Sequence, residues 1–144
     1  RFATVMRETV GFFAEDADRA RLLIREILDR PDDMRRRLDD HVRPWIDVVA
    51  DYIRRGQKSG EIHPEVDPEA YILQVVNMVV CGVAAATSMQ GGLLPTDSPK
   101  GAPMQRHTRE LLRIARSSLF VTGASLRPSS HHIAHKTELD RKEA

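Results

Sequence analysis

Residues 43–70, RPWIDVVADYIRRGQKSGEIHPEVDPEA, carry the signals that decide the fold of this chain. Apolar residues recur at helical spacing after Pro44, and Gly60 is a strong helix terminator, so a helix is expected to end near residue 60. Residues 67–69, an Asp-Pro-Glu triplet, offer a capping carboxylate, a proline suited to the first turn and an acid near the positive end of the helix dipole. The segment therefore predicts two helices joined by a short loop.

Helical spacing also recurs on the amino-terminal side of this segment. A first helix has an apolar stripe formed by Phe2, Met6, Val10 and Phe13. An aspartate at position 16 or 18 can cap a second helix, and Pro31 is suited to begin a third. Because Pro44 removes a backbone donor and clashes with the preceding turn, we expect a kink or a break at residues 41–43.

No charged side chain occurs between residues 71 and 96. The apolar run at 71–89 is long enough to raise the question of a membrane span. Gln74 and Asn77 interrupt it and no basic cluster flanks it, so a helix covered by protein from Pro68 to about Met89 is favoured. Residues 90–103 are rich in glycine and proline and predict a loop, and a last helix is expected at 103–121.

These patterns predict an all-α fold, a bundle of about five to six helices with few strand signals. We expect one domain over residues 1–122 and a polar carboxy-terminal tail over 123–144, where no apolar stripe is sustained. The chain opens on Arg1 and not on methionine, so it is expected to be a piece of a longer protein.

Composition and motifs argue against several functions. The net charge of +1, from 22 basic and 21 acidic side chains, argues against a segment that neutralises phosphates. The single cysteine, Cys81, excludes an internal disulfide. His131 and His135 have a spacing that suits a metal, but no third ligand accompanies them, so a solvated tail is favoured. We expect no catalytic residues, no metal site and no cofactor.

Large and polar side chains at helical positions suggest a small-molecule site, since such sites combine an apolar wall with a few polar anchors. An ordinary filled core has the same pattern, and both interpretations stay open at this point. The predicted lining is Phe12, Phe13, Trp45, Val49, Tyr52, Tyr71, Gln74, Asn77 and Met78.

The helices at 68–89 and 103–121 carry more apolar surface than a small bundle needs, which favours burial by a second copy of the chain. Small residues around Gly82 make part of the first of these helices thin, so that a neighbouring helix can approach closely. The alternative is that the four earlier helices cover this surface.

The phrases IRRGQ at 53–57, SGEI at 59–62 and VDPE at 66–69 resemble the carboxy-terminal domain of TetR-family transcriptional regulators. The resemblance covers about residues 2–120. It implies a cytoplasmic homodimer whose helices form an effector pocket and a four-helix dimer interface. The interface residues implied are Val80, Ala84, Leu111, Ile114, Ala115, Ser118 and Leu119.

Family members bind DNA through an amino-terminal helix-turn-helix, and no stretch of this chain resembles one. The resemblance therefore implies a repressor's sensing domain, with a small hydrophobic or amphipathic effector and with DNA contacted only by a domain outside this chain. No membrane partner is expected. A rival interpretation is an independent helical module for protein interaction or membrane association, with no DNA-linked role.

Overall fold

The structure is a computed structural model that describes residues 2–123. The predicted all-α class is confirmed, and the longest helices, α4, α5 and α7, have 17 residues each. The helices are α1 (Phe2–Ala14), α2 (Ala17–Asp29), α3 (Pro31–His41), α4 (Arg43–Ser59), α5 (Pro68–Ala84), a π-helical turn (Ala86–Gln90), α6 (Gly91–Leu93) and α7 (Pro103–Leu119).

The local signals place most helix ends where the sequence predicts them. The Asp16 carboxylate accepts from the Asp18 amide at 3.0 Å, and that of Asp67 accepts from the Ala70 amide at 3.0 Å. Gly60 ends α4 with φ at 76°, a left-handed conformation that glycine adopts without strain. The chain breaks between α3 and α4 at residue 42, as Pro44 predicts.

The expected helix to Met89 is wrong at its end, because α5 stops at Ala84 and a π-helical turn follows. The Gln90 side chain folds back, and its Nε2 donates to the Gly82 carbonyl at 2.8 Å. In a continuing α-helix that carbonyl would accept a hydrogen bond from the amide four residues further along the chain. The side chain of Gln90 therefore replaces a backbone hydrogen bond. The same turn and α6 shorten the loop that was expected over residues 90–103.

The last helix ends at Leu119 and not at Val121, because Phe120 adopts an extended conformation that forms an antiparallel bridge with Ile62. The His63 amide donates to the Leu119 carbonyl at 3.1 Å, and the Val121 amide donates to the Glu61 carbonyl at 3.0 Å. This pairing holds the end of α7 against the loop after α4. The predicted tail lies outside the described residues beyond Gly123.

The core surrounds α5, which contributes buried residues to three apolar clusters. Val75 and Val79 pack with α1 and α7, Ile72 packs with α4, and Val80 and Val83 pack with α2. The helix is thin at Gly82, as predicted, and His107 of α7 lies directly against it there. No helix in the described part of the chain is long and apolar enough to cross a membrane.

The loop between α4 and α5 is held by Gln57, the last residue of the IRRGQ phrase. Its Nε2 donates to the carbonyls of His63, Pro64 and Val66 at 3.0, 3.3 and 2.7 Å. One residue earlier, Gly56 leaves room for the fully buried side chain of Ile62. The phrase therefore specifies how the chain returns from α4 to α5.

Candidate functional site

The nine side chains predicted to line a ligand site divide between the interior and the surface of the chain. Phe13, Tyr71 and Met78 pack against the cluster shared by α1, α5 and α7, and Val49 packs against the cluster between α4 and α5. These four help to fill the interior. The others are exposed, namely Phe12, Trp45, Tyr52, Gln74 and Asn77. Ligand binding by this set stays a prediction.

Tyr71 joins α5 to α7 through its hydroxyl group. The hydroxyl donates to the Ala115 carbonyl at 2.5 Å. This hydrogen bond lies beside the buried cluster that contains Leu111 and Ala115. Burial raises the pKa of Tyr71 to about 12, and a hydrogen bond with Ser118 opposes that rise. The phenol is thus kept neutral in the folded chain and acts as a structural donor at this helix contact.

The Tyr71→Phe variant should lose stability at neutral pH and should also lose a pH dependence. A folded pKa of about 12 against an ordinary 10 means that the phenol stabilises the fold below pH 10, and that this stabilisation disappears as the pH rises to 12. As the pH is raised, the free energy of unfolding measured with urea should therefore fall more steeply for the parent chain than for the variant. Equal slopes would contradict the assignment, and Tyr52→Phe serves as the matched control.

An open groove of about 780 Å³ lies where α1 begins and α7 ends. Tyr52 is the one member of the predicted lining that borders it, and α7 contributes two arginines. The lining residues are Phe2, Ala3, Tyr52, Glu61, Arg113, Arg116, Ser117, Phe120, Val121, Thr122 and Gly123. The volume lies within the range of about 300–1,000 Å³ that is typical of small-molecule sites.

Aromatic side chains form one wall of the groove. The rings of Phe2 and Phe120 meet edge to face with their centroids 5.5 Å apart, and both rest on the buried cluster around Ile53. Tyr52 is 47% exposed and borders the same space from α4. The backbone pairing of 61–63 with 119–121 supports this wall, so the apolar surface is held by the core.

The charged side chains of the groove differ in their partners. Arg113 donates twice to Oε1 of Glu110, at 2.9 and 2.6 Å, which lowers the pKa of Glu110 and raises that of Arg113. Arg116 and Glu61 have no ion-pair partner within residues 2–123. The groove therefore offers one unpaired guanidinium and one unpaired carboxylate beside an aromatic wall.

No cluster of three or more potential metal ligands occurs among the residues that the structure describes. The histidines at 131 and 135 lie outside those residues, so the interpretation of that segment as a solvated tail stays a prediction.

The seven predicted interface residues divide between core and surface. Val80, Leu111, Ala115 and Leu119 are buried within the chain itself. Ile114 and Ser118 are exposed, and Ala84 is half-buried. Any contact with a second copy would thus use the outer sides of these helices, while their inner sides hold α5 and α7 in place.

Comparison with known families gives a match to one of them. Residues 23–92 match the family described as tetracyclin repressor-like, C-terminal domain. Residues 23–92 are TetR-like. It is significantly similar to no curated protein and to no solved structure. The resemblance in the IRRGQ and VDPE phrases is confirmed, and the matched family is one of transcriptional regulators and not of enzymes.

The match runs from Leu23 in α2 to Gly92 in α6, so the TetR-like segment contains α3, α4 and α5. Most of the groove lies outside it, on α1, on α7 and on residues 120–123 that follow α7. Sequence reasoning missed Phe2, Glu61, Arg116 and Phe120 as a group, because their proximity depends on the long-range pairing of residues 61–63 with 119–121. No local pattern in the sequence signals that contact.

Proposed function

We propose that this chain is the ligand-sensing and dimerisation domain of a TetR-like repressor, whose effector is a small hydrophobic or amphipathic molecule. The match over residues 23–92 is the observation that carries the proposal. DNA would be bound by a helix-turn-helix domain outside this chain, which agrees with the net charge of +1.

Exposed uncharged side chains on the outer sides of α5 and α7 offer surface for dimerisation. On α5 they are Leu73, Asn77 and Cys81, and on α7 they include Ile114 and Ser118. The side chain of Leu73 is 51% exposed and that of Ile114 is 41% exposed, although both helices bury other apolar side chains in the core. We call this surface the α5–α7 face, and a second copy would bury it by symmetric packing of the same helices.

The groove supports ligand sensing because it borders both the start of α1 and the helix α7, which carries part of the α5–α7 face. Phe2 and Ala3 lie at the start of α1, and Arg116 lies on α7 together with Ser118 of the α5–α7 face. A ligand that binds one arrangement of α1 and α7 more tightly than another would shift the population of subunit arrangements. The differential affinity, and not occupancy itself, would change the spacing of the DNA-binding domains.

Sedimentation velocity of the purified chain tests the dimer directly. We expect a dimer at micromolar concentration, and we expect the Leu73→Glu variant to be a folded monomer. Leu73 is exposed within one copy, so glutamate there leaves the core intact but places a charge in the α5–α7 face. The matched control is Leu28→Glu on α2, where leucine is 72% exposed and lies outside this face.

A parent chain that sediments as a monomer would contradict the proposal and would favour an independent interaction module. A dimer that survives Leu73→Glu but not Leu28→Glu would place the interface elsewhere. Circular dichroism of each variant establishes that a change in sedimentation does not come from unfolding.

A further inference from the structure

We propose that the groove at the start of α1 and the end of α7 binds a planar apolar monocarboxylate, with the ligand carboxylate held by Arg116. This rests on the ligand-sensing role proposed above and names the chemical class of the effector. Three features carry it: an aromatic wall, a guanidinium, and a carboxylate that limits the charge of the ligand. Neither charged group has an ion-pair partner among residues 2–123.

The wall determines the body of the ligand. Phe2 and Phe120 are fixed edge to face on the core, and Tyr52 presents a third ring to the same groove. Aromatic side chains bind flat apolar molecules well, because ring stacking adds to the burial of apolar area. A bicyclic aromatic molecule fits a groove of about 780 Å³ with room for a polar substituent.

Arg116 determines the charged end of the ligand. Of the two arginines in the groove, Arg113 already donates two hydrogen bonds to Glu110, and Arg116 has no carboxylate partner among residues 2–123. A guanidinium binds a carboxylate through two parallel hydrogen bonds, which are stronger and more directional than bonds between neutral groups. A ligand carboxylate would supply the partner that residues 2–123 do not.

Glu61 limits the number of negative charges on the ligand. Its carboxylate borders the groove and has no ion-pair partner in the described part of the chain, while its backbone is fixed by the Val121 amide. A second carboxylate on the ligand would meet a like charge, which disfavours binding. A monocarboxylate can bind Arg116 with its apolar end toward the aromatic wall.

Isothermal titration calorimetry with 2-naphthoate tests the proposal on the intact chain. We expect saturable binding that is about tenfold or more weaker for the neutral 2-naphthamide, because the charged hydrogen bonds to Arg116 are lost. Naphthalene-2,6-dicarboxylate should also bind more weakly than the monoacid. The Arg116→Gln variant should lose the preference for the acid over the amide.

The control is Arg109→Gln, two turns earlier on α7, since Arg109 is exposed and does not border the groove. It should bind 2-naphthoate like the parent chain. Equal affinity for the acid and the amide, unchanged binding by Arg116→Gln, or no saturable binding of 2-naphthoate would each overturn the proposal. A dimer that is lost in Leu73→Glu would still support the regulator role, so the two failures are distinguishable.

Discussion

Replacement of Ile62 by alanine is expected to lower the free energy of unfolding by about 2–5 kcal/mol. Ile62 is only 1% exposed and belongs to the cluster formed with Ala50, Ile53, Ile72 and Leu119. Removing its outer carbons leaves a cavity where α4, α5 and α7 meet, and the backbone bridge to Phe120 limits collapse of the site. Urea denaturation followed by circular dichroism measures the change.

Two further variants make this expectation specific. Ile62→Val removes a single methylene and should cost about 0.5–1.5 kcal/mol. Val48→Ala, on the solvent side of α4 where valine is 67% exposed, should change stability by no more than about 0.5 kcal/mol. If Ile62→Ala lowered the free energy of unfolding no more than Val48→Ala does, Ile62 would not be the core contact described above.

The Gly56→Ala variant is expected to lose about 1–3 kcal/mol of stability through overpacking. A β-carbon at Gly56 would lie 2.5 Å from Cδ1 and 2.8 Å from Cγ1 of Ile62, whose side chain is enclosed by the core and cannot move freely. Helix propensity alone favours alanine by about 1 kcal/mol, so a net loss of stability isolates the steric effect. Thermal and urea unfolding both measure it.

Gly11→Ala is the matched control, because nothing lies within 4 Å of a β-carbon at that position in α1. It should stabilise the chain by about 0.5–1 kcal/mol. Combining Gly56→Ala with Ile62→Ala should cost less than the sum of the two changes, since the new methyl group occupies part of the space that the isoleucine leaves. Additive costs would mean that the two residues do not compete for that space.

Helix boundaries set by local chemistry could be predicted from the sequence. Asp67 and Pro68 begin α5, Gly60 ends α4, and Pro44 separates α3 from α4, because each acts on backbone groups within one turn of itself. The apolar stripe of α1 is also confirmed, since Met6 and Val10 are buried. Periodicity suffices where one face of a helix meets the core.

Features that depend on distant contacts could not be predicted in the same way. The end of α5 depends on Gln90, whose side chain turns back to Gly82. On α7, periodicity marks Leu111, Ala115 and Leu119 as apolar but does not tell a core face from a face that binds a second copy. The structure buries all three within the chain. The groove likewise joins residues from both ends of the described chain.

The bridge between Ile62 and Phe120 also has a consequence for the order of folding. The cost of closing a loop rises with the length of chain enclosed, and contacts between distant residues form slowly. The aromatic wall of the groove therefore forms only after α7 has docked on the helices that precede it. A molecule that occupies the groove binds native chains and not partly folded ones, so by mass action it would protect the chain from unfolding as well as signal through it.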